Sequence, residues 1–146
     1  IEIGSCKGDT TRVLSECFEK VYSFEQSDEN VKDIKQKCSD VSNVEISQED
    51  VYDKNFVIPD VDVAFIDAGH STELVKFDIS RFLQRNKDMI LVLDDYGQED
   101  ESIKTAVMES GVPVSRHIGE YNGFTFDRLN GESVTLIGRE GVICNL

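Results

Sequence analysis

The chain has 146 residues, room for one domain of ordinary size, and 39% of them are hydrophobic, enough to build a packed core. Asp and Glu number 29 against 15 Lys and Arg, a formal net charge of -14. Such a surface argues against nucleic-acid and membrane partners, which are held through Lys and Arg, and no apolar run approaches the roughly 20 residues that span a bilayer.

The chain opens Ile1-Glu2-Ile3-Gly4 without Met and already in a strand pattern, so further residues are expected ahead of strand one. Thr10 or Thr11 then caps a helix whose apolar stripe is Val13, Leu14, Cys17 and Phe18. Val21 to Phe24 reads as the second strand. Ser27 precedes a polar helix through Cys38, with Val31, Ile34 and Cys38 facing inward. Asn43 to Ser47 and Val61 to Ile66 read as the third and fourth strands. Ser71 or Thr72 caps a helix carrying Val75, Ile79, Phe82 and Leu83 at helical spacing. The continuous apolar run Met89 to Leu93 predicts a strand buried on both faces. A helix from about Glu101 to Ser110 ends at Gly111, and β-like runs follow at Val114–Ile118, Gly123–Phe126 and Ser133–Gly138.

Strands that alternate with helices in this way imply right-handed βαβ units. The expected fold is α/β and Rossmann-like: a doubly wound, mostly parallel seven-stranded sheet with a C-terminal antiparallel hairpin and helices on both faces. One domain is expected over residues 1–146. Cysteines occur at positions 6, 17, 38 and 144, without the close pairs that zinc or redox motifs use. Cys17 and Cys38 read as small buried hydrophobes, and this usage suits a reducing cytoplasm.

In such sheets ligands bind beyond the carboxyl ends of the strands. After strand one, Gly4-Ser5-Cys6-Lys7-Gly8 forms a tight loop opening a helix, so backbone can approach a ligand closely. It is neither Walker A nor the three-glycine dinucleotide fingerprint, because Cys6 holds the place of the middle glycine. Glu25 follows strand two, where an acid can accept both hydroxyls of a ribose, and Glu49 and Asp50 follow strand three, where a carboxylate can meet an exocyclic amine.

These residues resemble the cofactor motifs of class I S-adenosylmethionine-dependent methyltransferases over about residues 1–110. The resemblance implies that Glu2, Gly4, Ser5, Gly8 and Thr10 surround the methionyl end, with Glu25 on the ribose and Asp50 or Glu49 on the adenine. Asp67 is expected to border the same cofactor.

Asp67 ends strand four with His70 three residues on, and Asp94-Asp95-Tyr96-Gly97 ends strand five. If strands four and five are neighbours, three carboxylates converge, an arrangement that asks for a cation. Their hard oxygens suit Mg²⁺ or another divalent ion. The alternative is that Asp94 and Asp95 cap the following loop. The segment Asp94 to Gly97 resembles the D-D-Y-G motif of the macrocin O-methyltransferase family, and the wider pattern resembles catechol-type metal-dependent O-methyltransferases. Both imply methyl transfer to a hydroxyl of a small molecule, with Asp67, Asp94 and Asp95 as metal ligands. His70 is the expected general base, or else a helix-terminal histidine bonded to backbone, and Asp67 is the base if metal is absent. Tyr96 either contacts cofactor or acceptor or packs, while His117 reads as structural.

The run Glu99-Asp100-Glu101 reads as negative charge at the next helix's N-terminus rather than a site for a cationic acceptor. A homo-oligomer is compatible with all of this. The competing readings are a metal-free methyltransferase acting on another nucleophile and a non-catalytic S-adenosylmethionine-binding domain. A nicotinamide dehydrogenase stands third.

Overall fold

The computed structural model describes residues 1–85, 88–97, 101–119, 121–127, 131, 133–138 and 140–146. It divides into two compact units, Ile1–Ala68 and Gly69–Leu146.

The first unit holds β1 (Glu2–Ile3), α1 (Asp9–Cys17), β2 (Val21–Glu25), α2 (Asp28–Lys37), β3 (Val44–Gln48) and β4 (Val63–Ile66). All four strands are parallel, in the order β3-β2-β1-β4. The order reverses at β1, with β2 on one side and β4 on the other, and this reversal is the switch point where open α/β sheets bind ligands. Ile3, Ala64 and Ile66 from the strands are buried, as are Val31 and Ile34 from α2. Ser27 caps α2 as its sequence predicts, its hydroxyl accepting from the Asn30 N–H at 3.3 Å.

Helix α1 departs from expectation. It begins at Asp9, and it buries Thr11 and Ser15. Val13 is 60% and Phe18 38% exposed, and Cys17 is exposed too. The reason lies beneath the helix. Glu2 on β1 is wholly buried, and its Oε2 accepts from the Thr11 hydroxyl at 2.5 Å. A buried carboxyl requires hydrogen-bonding neighbours, so the helix turns its hydroxyl face inward. Cys38 is buried as expected.

The far end of α1 is held by Asn43, whose amide donates to the carbonyls of Ser15 and Phe18, both at 2.8 Å. Asn43→Ala leaves two terminal carbonyls without that partner. It is expected to cost about 1–2 kcal/mol, read as a lower denaturant midpoint with an unchanged slope.

The second unit holds α3 (Thr72–Leu83), β5 (Ile90–Leu93), α4 (Ser102–Ser110), β6 (Val114–Ile118), β7 (Tyr121–Asp127), β8 (Ser133–Gly138) and β9 (Gly141–Asn145). Ser71 is the N-cap of α3, accepting from the Leu74 N–H at 3.3 Å. Val75, Ile79 and Phe82 on α3 are buried, as are Ile103, Ala106 and Val107 on α4, and the two helices are joined at their starts by the Thr72 hydroxyl donating to the Ser102 carbonyl at 3.2 Å. Leu83 is 44% exposed, outside that face. Gly111 ends α4 with φ 67, as a C′ glycine does. Glu101 is the N-cap of α4 and pairs with Lys104 at 2.8 Å. Glu99 and Asp100 lie outside the described residues.

Two sequence expectations change here. Strand β5 alternates, with Leu91 and Leu93 buried and Ile90 41% exposed, so it is not covered on both faces. Its antiparallel partner is β9, which also pairs with β6, giving the order β5-β9-β6. Strand β9 lies beyond the last β-like run that the sequence pattern marks. The runs at 123–126 and 133–138 pair instead with one another, as a separate two-stranded ribbon. Among the described residues, no helix is long and apolar enough to cross a membrane.

Candidate functional site

The loop between β1 and α1 is built for close approach. Gly4 has φ +87, and a Cβ there would lie 2.2 Å from the Asp67 carbonyl oxygen and 2.6 Å from Ala68 Cα. Only glycine lets the end of β1 pass so near the end of β4. The Gly4 N–H donates to the Phe24 carbonyl at 3.2 Å, and the Gly8 N–H closes the loop onto Ser5 O at 2.8 Å. Gly8 is the N-cap of α1 and supplies no side-chain cap. The first N–H groups of α1 therefore receive no cap from it, and helix termini of this kind favour anionic ligand groups.

Between the glycines, Cys6 adopts φ 46, the left-handed conformation that glycine adopts freely. Glu25 stabilises it. Its Oε2 accepts from the Cys6 N–H at 2.9 Å and its Oε1 from the Ser27 N–H at 2.8 Å. Each oxygen keeps a further lone pair for a ligand hydroxyl. One side chain at the end of β2 thus fixes the loop and remains able to accept two more hydrogen bonds.

The other expected cofactor residues divide into a lower and an outer set. Glu2 is 0% and Ser5 3% exposed. The Ser5 hydroxyl lies 2.6 Å from that of Ser23 and donates to the Phe24 carbonyl at 3.3 Å. Glu2 and Ser5 are thus buried side chains bonded to Thr11 and to Ser23 and Phe24 beside the loop. Burial pushes the Glu2 carboxyl above its ordinary value, against the opposing pull of the Thr11, Ser5 and Ser23 hydroxyls. Thr10 is half-buried in the first turn of α1, while Glu49 and Asp50 are exposed after β3. Asp50 Oδ1 accepts from the Tyr52 N–H at 2.9 Å, so Asp50 also shapes the connection that follows it. Phe56 from that connection packs edge-on against Phe24, centroids 4.9 Å apart. Phe56 carried no motif signal in the sequence.

Glu25→Gln is an informative change. An amide nitrogen would face one of the two backbone N–H groups that the carboxylate now accepts. S-adenosylmethionine affinity is expected to fall about tenfold or more, the scale of one lost charge-assisted hydrogen bond, as measured by calorimetric titration.

In the second unit, Asp94 and Asp95 follow β5 directly. His70, just before the Ser71 cap, places Nδ1 3.0 Å from Asp95 Oδ2. Asp94 is half-buried, and its carboxyl is held above the ordinary value, chiefly by burial and then by the negative charges of Asp95 and Glu140. The Asp95 N–H and His70 act in the opposite direction. A carboxyl held up in this way is relieved by a cation, and carboxylate and imidazole donors suit a divalent ion. The register Leu93–Val142–His117 across β5, β9 and β6 brings His117 to the same strand end, where its ring lies 5.2 Å from that of Tyr96. In the sequence His117 reads as structural, and it is the pairing through β9 that links it to Tyr96. Asp67, from the end of β4, belongs to the first unit, where its N–H donates to the Ile3 carbonyl at 2.9 Å.

A family model described as a methyltransferase domain matches residues 1–96. No curated protein matches the chain. Among solved structures, it is similar to precorrin-6y C5,15-methyltransferase of Geobacter metallireducens, with 15% identity and a TM-score of 0.69 over 99% of this chain and 76% of that one. It is similar also to fibrillarin of Aeropyrum pernix, solved with natively bound S-adenosyl-L-methionine, at 14% identity and a TM-score of 0.60 over 98% of this chain and 64% of that one. A third likeness is tRNA (m1A58) methyltransferase of Aquifex aeolicus, with 16% identity and a TM-score of 0.61 over 99% of this chain and 61% of that one. The chain thus spans less than two thirds of the fibrillarin and of the tRNA enzyme. Identities this low establish the fold, a Rossmann-like one. Matched by the family model over residues 1–96, with glycines at positive φ opening α1 and an acid ending β2, the chain belongs to the methyltransferase-domain family.

Proposed function

We propose that the protein transfers a methyl group from S-adenosylmethionine to a hydroxyl of a small molecule, assisted by a divalent cation, with Mg²⁺ foremost. The observation that carries the metal is Asp94, a half-buried carboxyl pushed up by burial and by neighbouring acids at the end of β5, next to Asp95, whose Oδ2 lies 3.0 Å from His70 Nδ1. The D-D-Y-G likeness to macrocin and catechol-type O-methyltransferases supports the same reading. Asp94 and Asp95 would hold the ion with Asp67, which stands three residues before His70 in the chain. A bound divalent cation supplies Lewis acidity that lowers the acceptor hydroxyl's pKa.

The chain's own residues do the remainder. The Gly4–Gly8 loop and the start of α1 receive the methionyl end, with Thr10 in that first turn. Glu25 accepts from the ribose hydroxyls, and Asp50 or Glu49 meets the adenine. Glu2 and Ser5 hold the loop from below. His70 takes the acceptor proton at Nε2 as the acceptor oxygen attacks the methyl carbon. The S–CH₃ bond breaks, a C–O bond forms, and neutral S-adenosylhomocysteine leaves. Positioning of the two bound reactants lowers the barrier further.

The net charge of -14 supports a small-molecule acceptor over RNA, since phosphate binding draws on Lys and Arg. Free cysteines at positions 6, 17, 38 and 144 support a cytoplasmic setting. A methylation assay over a panel of ortho-diphenols and sugars, with tRNA as comparison, tests the proposal. Product is expected on a hydroxyl, with turnover reduced about 100-fold or more by EDTA and restored by Mg²⁺, a loss of several kcal/mol of charge stabilisation. Unchanged turnover after chelation would remove the metal, and methylation of tRNA alone would remove the small molecule.

A further inference from the structure

The carboxyl of Glu2 is short of donors. It is wholly buried, and among the described residues its Oε1 has no hydrogen-bond partner. Three hydroxyls act on it, Ser5 from the cofactor loop, Ser23 from β2 and Thr11 from α1. Each hydroxyl carries one proton. Thr11 donates its proton to Glu2 Oε2 at 2.5 Å, and Ser5 donates its own to the Phe24 carbonyl at 3.3 Å. The Ser5 and Ser23 oxygens lie 2.6 Å apart, so with the Ser5 proton already placed the donor in that pair is Ser23. All three protons are then taken, and none reaches Oε1.

A buried carboxylate needs donors, and a bare buried charge costs far more than a bare neutral oxygen. A proton on Oε1 removes the charge and makes that oxygen a donor, while Ser23 Oγ keeps lone pairs to receive it. Burial pushes the carboxyl up in the same sense. Two titratable groups face it among the described residues. One is the α-ammonium of Ile1, which favours ionisation but donates to the Val63 carbonyl at 2.8 Å and is itself pushed down by burial. The other is the Cys38 thiol at the end of α2, pushed up by burial and by the Glu2 charge. The Phe24 carbonyl ties the loop to β2, since it also takes the Gly4 and Ser5 N–H groups at 3.2 and 3.4 Å.

We infer that Glu2 is a positioning residue of the cofactor loop that works as the neutral acid, its proton on Oε1 leaving the Ser5 hydroxyl on the Phe24 carbonyl. When Glu2 loses that proton to solvent, Ser23 turns its own proton to Oε1 and Ser5 turns to Ser23. The Phe24 carbonyl then loses the Ser5 hydroxyl, and the loop loosens. The neutral form is in place in acid and is lost as pH rises through the folded value. This rests on the reading of the loop as the S-adenosylmethionine site and gives Glu2 a stated protonation there.

The test follows the proton and the cofactor separately, on the full chain. ¹³C spectra of the side-chain carboxyls are recorded against pH without cofactor, and the resonance absent from Glu2→Gln belongs to Glu2. That resonance is expected to stay protonated after the exposed carboxylates have ionised. Thr11→Val withdraws the donor to Oε2, and Glu2 is then expected to keep its proton to higher pH still. Calorimetry reads S-adenosylmethionine affinity over the same range. Above the folded value of Glu2, wild-type affinity is expected to fall about tenfold per pH unit, as a one-proton requirement dictates. Glutamine offers Thr11 an accepting oxygen and Ser23 a donating nitrogen, so Glu2→Gln is expected to lack that fall. The ligand's own titration is common to both proteins and cancels in the comparison. Glu2 ionising together with the exposed carboxylates, or the same pH slope in wild type and Glu2→Gln, would overturn the inference. A late-ionising Glu2 in a chain that binds no S-adenosylmethionine would count against the cofactor reading alone. Tight binding beside an early-ionising Glu2 would count against the positioning role alone.

Discussion

Gly4→Ala is expected to abolish S-adenosylmethionine binding at ordinary concentrations and to lower the melting temperature steeply. Two costs act together. An L-residue at φ +87 leaves its favoured region, at about 1–2 kcal/mol. The new Cβ would also sit 2.2 Å from a backbone oxygen and 2.6 Å from a backbone carbon at the end of β4, and neither can rotate away. The strand ends must separate at the point where the cofactor loop begins. Affinity is expected to fall at least about 100-fold, or about 2.8 kcal/mol at 1.4 kcal/mol per tenfold. Gly8→Ala offers a graded comparison, because its Cβ would meet Ile34 atoms at 3.1 Å, a contact that a small shift relieves. Titration calorimetry and thermal melts of both variants check this. Wild-type affinity in a folded Gly4→Ala would mean that the cofactor does not use this loop.

Asp94→Asn is expected to separate stability from activity. The folded protein holds the Asp94 carboxyl above its ordinary value, mainly through burial. In strong acid the group is protonated whether the chain is folded or not, and it costs nothing. As pH rises through the unfolded value and then the folded one, ionisation is resisted in the fold, and stability is lost. Above the folded value the cost is constant. Asparagine carries no such charge, so in EDTA the variant is expected to melt higher than wild type at neutral pH and alike in acid. Methyl transfer is expected to fall about 100-fold or more, the several kcal/mol that a bound cation supplies. Lower stability at neutral pH would show that the Asp94 charge stabilises the fold rather than burdening it.

Glu25 and the two loop glycines were legible in the sequence because they depend on local rules. Strand ends carry ligand groups, and a glycine on each side of a tight loop signals backbone that side chains would obstruct. The structure adds how Cys6 occupies a glycine-like conformation: Glu25 holds its N–H. The inward face of α1 was not legible. Its apolar stripe is correct as a pattern, yet the buried Glu2 carboxyl beneath the helix selects Thr11 and Ser15. Strand β9 was missed because Gly141–Asn145 is short, with a pattern that gains meaning only through pairing with β5 and β6. The approach of His117 to Tyr96 depends on that same pairing. The Asp95–His70 contact joins residues 25 positions apart through the left-handed turn at Asp95, which no spacing rule announces.

The most direct measurement is calorimetric titration of the chain with S-adenosylmethionine and, separately, with NAD⁺. Saturable binding of S-adenosylmethionine is expected, weakened in Glu25→Gln and lost in Gly4→Ala, with no binding of NAD⁺. Tight NAD⁺ binding without S-adenosylmethionine binding would contradict it.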